Sequence, residues 1–148
     1  MWGKTLSENQ NNLHNSDLVQ AIINRFKAVP GEAEKPCGIV ARFKVKKDKL
    51  GEMREAIQKS VPSTQKEDGC LHYEYSQDID DETMFVLVEQ WRDLPKLEMH
   101  FKTSHFQEAA QTLGAILANE PVITLTRPVK EEQIWAIWGS ILDLLFFL

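Results

Sequence analysis

Apolar and polar positions alternate from residue 38 to 48, with Ile39, Ala41, Phe43 and Val45 on one face and Val40, Arg42 and Lys44 on the other. A period of two marks a half-buried strand. The pattern then changes to helical spacing over 49–61, where Leu50, Met53, Ile57 and Val61 form one stripe. Pro62, Ser63 and the run KEDG make a turn. Residues 70–78 alternate again, with Leu71, Tyr73 and Tyr75 toward one side and His72, Glu74 and Ser76 toward the other. After a polar hairpin loop at 78–82, residues 83–91 form an almost continuous apolar strand, a pattern that predicts cover on both faces. Two helical stripes follow, Leu94, Leu97 and Phe101 within 93–103, then Phe106, Ala109, Ala110, Leu113 and Leu117 within 105–118. A last strand is predicted over 121–129.

The order is β-α-β-β-α-β with a broken second helix, an α+β class. It predicts a ferredoxin-like protomer, in which a four-stranded antiparallel sheet carries its helices on one face. The other face holds Val40, Met84, Val86 and Val88, and an apolar sheet face predicts a partner. The expected partner is a second copy, packed sheet to sheet as a homodimer.

Two segments flank this domain, which is expected to cover 36–129, and lie at 1–35 and 130–148. Residues 1–15 are polar and Asn-rich and are expected to be loosely held. Ser16-Asp17 reads as a cap for an amphipathic helix over 16–29, carrying Leu18, Val19, Ile22, Ile23, Phe26 and Val29. Pro30-Gly31 ends it, and 31–36 reads as a linker. The tail 134–148, IWAIWGSILDLLFFL, is predicted as an apolar helix whose only charged side chain is Asp143. It is shorter than the ~20 residues that span a bilayer. Three readings stay open for it: an extension of the core on its own dimer, a peripheral contact with a membrane interface through Trp135 and Trp138, or no role.

The net charge of −5 gives no attraction for a phosphate backbone, so nucleic acid is not expected as a partner. Cys37 and Cys70 do not make a disulfide scaffold, and free thiols in a cytoplasmic setting are expected. No secretory signal is evident at the start.

Candidate chemistry concentrates between 85 and 106. Trp91 ends the apolar strand with the parity of Leu87 and Glu89, and reads as an aromatic wall for a planar substrate or as core packing. His105, at the break between the helix pieces, reads as a general base or as a residue that holds the kink; His100 reads as a pocket-lining residue and alternative base, or as a half-exposed surface residue. His72 is expected on the opposite face. Tyr73, Tyr75 and Phe101 are candidate substrate contacts. Glu89, on a buried strand, needs a partner; Arg127 is the expected one, and the alternative is a carboxylate of raised pKa acting as base. Five residues of helix put His100 and His105 roughly 140° apart. With no third ligand evident, no metal site is expected.

Four segments, IVARFKVKKDK, KEDGCLHYEYSQD, VLVEQWRD and HFKTSHFQ, together resemble the antibiotic biosynthesis monooxygenase (ABM) family from Pro36 to Val129. The combination of E-x-W at a strand end with H-x4-H-F nine residues on carries most of that likeness. The resemblance implies a dimeric α/β barrel with a small pocket between sheet and helices in each protomer. Family members include oxygenases of aromatic phenols or quinols that use O2 without metal or flavin, haem-degrading enzymes, isomerases and proteins without assigned activity. The haem-degrading members use an Asn and a His where this chain has Ala41 and Ala110, which argues against haem. The expectation is a cofactor-independent monooxygenase or quinol oxidoreductase acting on a small aromatic phenol or quinol. His105 or His100 would be the base, and Trp91, Tyr73, Tyr75, Phe101 and Glu89 would bind substrate. The alternatives are an isomerase of a small carbonyl compound and a non-catalytic ligand-binding or stress-response dimer.

Overall fold

A computed structural model describes residues 6–31 and 33–129, with side chains from Ser16 onward. In chain order the elements are α1 (Leu6–Lys27), β1 (Cys37–Lys44), α2 (Leu50–Thr64), β2 (Cys70–Gln77), β3 (Met84–Trp91), α3 (Leu94–Phe101), α4 (Ser104–Ile116) and β4 (Val122–Thr126). A single 3-10 turn, Lys47–Lys49, leads into α2. The strands form one sheet in the order β2-β3-β1-β4, and every neighbouring pair is antiparallel. This is the ferredoxin-like arrangement that the alternation of patterns predicts.

Register places the inward side chains in rows. Tyr73, Glu89, Ile39 and Leu125 pair in turn across all four strands, and Tyr75, Leu87, Ala41 and Ile123 make the next row. With Trp91, Phe85 and Phe43 they face the helices. Met53 of α2, Leu94, Leu97 and Phe101 of α3 and Ile116 of α4 complete the core. Burying one large aliphatic side chain stabilises the fold by about 1.5–3 kcal/mol. The row positions therefore fix register, because a one-residue slip would turn all of them outward.

The second face of the sheet carries Val40 opposite Val88, and Val86 opposite Arg42. Val88 is 37% exposed, so the near-continuous apolar run of β3 is covered on one side only within the protomer.

Several expectations change. The first helix begins at Leu6, so Ser16-Asp17 lies inside it and is not a cap. The stretch 6–15 holds no Pro or Gly, and extending a helix already anchored by packing adds a hydrogen bond per residue without a new nucleus. Pro62 sits within α2, which runs to Thr64. Leu71 does not share the face of Tyr73: a bulge between Cys70 and His72 shifts the register and leaves it 57% exposed. The apolar tail lies outside the described residues. No described helix is long and apolar enough to cross a membrane.

Candidate active site

A cavity of about 610 Å³ lies between the sheet and the helices. Its floor is the two inward rows, with Ile39, Ala41, Tyr73, Tyr75, Leu87 and Glu89. Phe101 of α3 and Phe106, Ala109, Ala110 and Leu113 of α4 form one wall. Leu18, Val19 and Ile22 of α1 form another. An apolar cavity with a few polar groups is the usual form of a small-molecule site.

Glu89 is the buried carboxyl in this lining. Strand alternation forces it inward between Leu87 and Trp91. Its partner is the indole of Trp91, whose Nε1–H donates to Oε2 at 2.8 Å. The expected pairing with Arg127 is not formed. The Arg127 guanidinium instead donates to the carbonyls of Lys35 and Pro36 at 3.1 and 3.2 Å and lies 5.2 Å over the Phe26 ring, fastening α1 and the linker to the end of β4. With no opposing cation beside it among the described residues, burial pushes the Glu89 carboxyl up to about 7. The Trp91 hydrogen bond holds it down, and the charge of Glu67 adds to the rise. Burial likewise raises the phenols of Tyr73 and Tyr75, which therefore stay protonated as donors.

Trp91, read from sequence as a pocket wall or as core packing, has no exposed surface and is not part of the lining. It reaches the cavity only through the carboxyl it holds. His100 is also outside the lining and only 1% exposed, with its ring centroid 4.6 Å from that of Trp91 and 5.0 Å from that of Phe106. Burial keeps its pKa below the usual imidazole value. His100 Nδ1 and His105 Nε2 both meet Oε1 of Glu67, at 2.8 and 2.5 Å. Glu67 was not foreseen from sequence. It lies in the turn between α2 and β2, more than thirty residues from either histidine, and only the fold brings them together. His72 lies away from the cavity, 3.8 Å from the Glu74 carboxylate.

Local chemistry holds these parts in place. Asp93 caps α3 by accepting from the Lys96 amide at 2.9 Å, with Pro95 in the first turn. Thr103 caps α4, accepting from the Phe106 amide while its hydroxyl donates to the His100 carbonyl at 2.7 Å. Those two hydrogen bonds set the kink between His100 and His105. The Glu67 turn is closed by Gly69 at φ 93°, where a Cβ would also collide with the side chain of Lys96. Asp68 is paired with Lys96 and Arg92 at 2.6 and 3.1 Å.

Residues 36–112 match the antibiotic biosynthesis monooxygenase family. The chain belongs to that family. The uncharacterized protein sll1783 of Synechocystis is 29% identical over 101 residues, 68% of each chain. The structure of Rv0793 from Mycobacterium tuberculosis is similar with a TM-score of 0.62 at 26% identity, covering 66% of this chain and 98% of that one. PA3566 from Pseudomonas aeruginosa gives a TM-score of 0.61 at 28% identity, covering 68% of this chain and all of its own. The family match begins after α1, so the cavity wall made by Leu18, Val19 and Ile22 lies outside it. Ala41 and Ala110 both line the cavity.

Proposed function

We propose that this chain is a cofactor-independent monooxygenase of small aromatic phenols or quinols, with O2 as the oxidant. The observation that carries the reading is a buried carboxyl, Glu89, with a pKa near 7, facing an otherwise largely apolar cavity large enough for a fused-ring phenol. Such a carboxylate is matched to removing a phenolic proton near neutral pH.

In this reading the substrate ring lies on the sheet floor beside Phe101 and Phe106. Glu89 takes the phenolic proton. The phenolate passes one electron to O2, and the resulting aryloxyl radical and superoxide join at a ring carbon as a peroxide. Glu89 returns its proton to that peroxide, and the outer oxygen leaves as water with this proton and the hydrogen of the ring carbon, so that a quinone remains: one oxygen atom enters the product, the other leaves as water, and the carboxylate is regenerated. Two substrate electrons balance the oxygen inserted, and two more reduce its partner, so the substrate is itself the reductant. The hydroxyls of Tyr73 and Tyr75, which both line the cavity, would donate toward the developing oxyanion. The proton-accepting role goes to Glu89 because His100 and His105, expected from sequence as bases, stand outside the cavity lining and share Glu67. His100 packs against Trp91, and His105 against His100.

The unit of function in this reading is a cytoplasmic homodimer, joined through the apolar sheet face of Val40, Val86 and Val88. Light scattering should give a dimer for the wild type and a monomer for Val88→Asp. Reaction under ¹⁸O2 tests the chemistry: one labelled oxygen in the quinone supports monooxygenation, whereas unlabelled quinone with hydrogen peroxide would reduce the reading to plain quinol oxidation.

A further inference from the structure

The oxygenase reading leaves Glu67, His100 and His105 outside the chemistry. Their three ligand atoms, one carboxylate oxygen and two imidazole nitrogens, all lie within 4.8 Å of one another. They come from three separate segments: the α2–β2 turn, the end of α3 and the start of α4. Sequence spacing argues against a metal here because the two histidines have no third ligand; the fold supplies one.

We propose that Glu67, His100 and His105 form a binding site for one divalent transition-metal ion of the zinc, cobalt, nickel or iron(II) class. Two imidazoles and one carboxylate are a ligand set for such borderline ions, and a poor one for magnesium or calcium, which take oxygen ligands. Ligand atoms held at about 2.1 Å by a tetrahedral ion stand about 3.4 Å apart. Both contacts to Glu67 Oε1 therefore open by less than an ångström as the ion takes the place of the shared protons. The supports are already built: Thr103 fixes the kink, and Gly69 with the Asp68 ion pairs fixes the turn. One ligand is fully buried against Trp91, while the side chains of His105 and Glu67 keep 23% and 15% of their surface exposed. That edge gives the ion an entry path and leaves room for water as a further ligand. The ion would tie the α2–β2 turn to the α3–α4 kink, behind Trp91 and apart from the cavity lining. The proposal does not depend on the oxygenase reading.

The test is uptake of Co²⁺ and Zn²⁺ by the EDTA-stripped full chain, followed by cobalt d–d absorption and calorimetry. One equivalent is expected. Glu67→Gln and His105→Ala should each weaken it by more than the ~10–100-fold that loss of a supporting group costs. His72→Ala, which removes an exposed histidine elsewhere, should leave it unchanged. On the unaltered protein, zinc should shift the His100 Nδ1 and His105 Nε2 resonances in ¹⁵N spectra, a readout that needs no variant to fold. No uptake, uptake indifferent to Glu67→Gln, or zinc shifts confined to other histidines would overturn the site.

Discussion

Replacing Glu89 with Gln removes the buried charge and keeps an oxygen for the Trp91 indole. The folded-state pKa is about 7 against an ordinary value of 4.5. A carboxyl raised in the folded state binds its proton more tightly there than in the unfolded chain. Its cost is therefore absent below pH ~4, grows as pH rises through the interval, and is complete above pH ~7. At 1.36 kcal/mol per unit, the wild type carries about 3 kcal/mol of destabilisation at pH 8.5 that Glu89→Gln does not. At roughly 2–4 °C per kcal/mol for a chain of this size, the variant should melt about 6–12 °C higher at pH 8.5 and within a few degrees of the wild type at pH 4.5. Denaturant titrations of both proteins between pH 4.5 and 9 measure the difference directly, because contributions from other titrating groups cancel. A difference that stays flat across this range would refute the assignment of a raised pKa to Glu89. Turnover should fall by ~10²–10⁴ in the same variant if Glu89 is the base.

Trp91→Phe keeps the ring but removes the donor that holds the Glu89 carboxylate; it should cost about 1–3 kcal/mol and move the pH midpoint of the stability difference upward. Ile22→Ala, in the α1 wall, should cost about 2 kcal/mol by chemical denaturation and admit bulkier ligands to the cavity, as read by ligand-induced thermal shifts. Burial pushes the Cys37 and Cys70 thiols up to about 11, so neither should react readily with a thiol-disulfide reagent at pH 8 in the native protein, and both should react in denaturant. Fast native labelling would contradict their placement.

The fold was legible because strand and helix periods alternate cleanly in this chain. Ile39, Ala41 and Phe43, and Leu87, Glu89 and Trp91, all face the core as their parity predicts. The bulge at Leu71 was hidden, since nothing in CLHYEYSQ marks an extra residue, and alternation carried one position too far. The length of α1 was hidden as well, because its polar first half has no apolar stripe to count. Of the candidate site, Tyr73, Tyr75, Glu89 and Phe101 reach the cavity as their face suggests. The roles of Trp91 and the histidines were harder to read. Parity says which side of the sheet Trp91 faces, but not that the helix above it closes the space completely. Glu67 carried no signal beyond its place in a turn, because its partners arrive from two distant helix ends.

The measurement that bears most directly on the oxygenase account is O2 uptake by metal-stripped protein with a panel of fused-ring phenols and quinols, recorded from pH 5 to 9. The account predicts substrate-dependent uptake that rises with pH through a midpoint near 7 and reaches a plateau, with Glu89→Gln reduced at every pH. No uptake across the panel, or uptake that Glu89→Gln leaves unchanged, would contradict it.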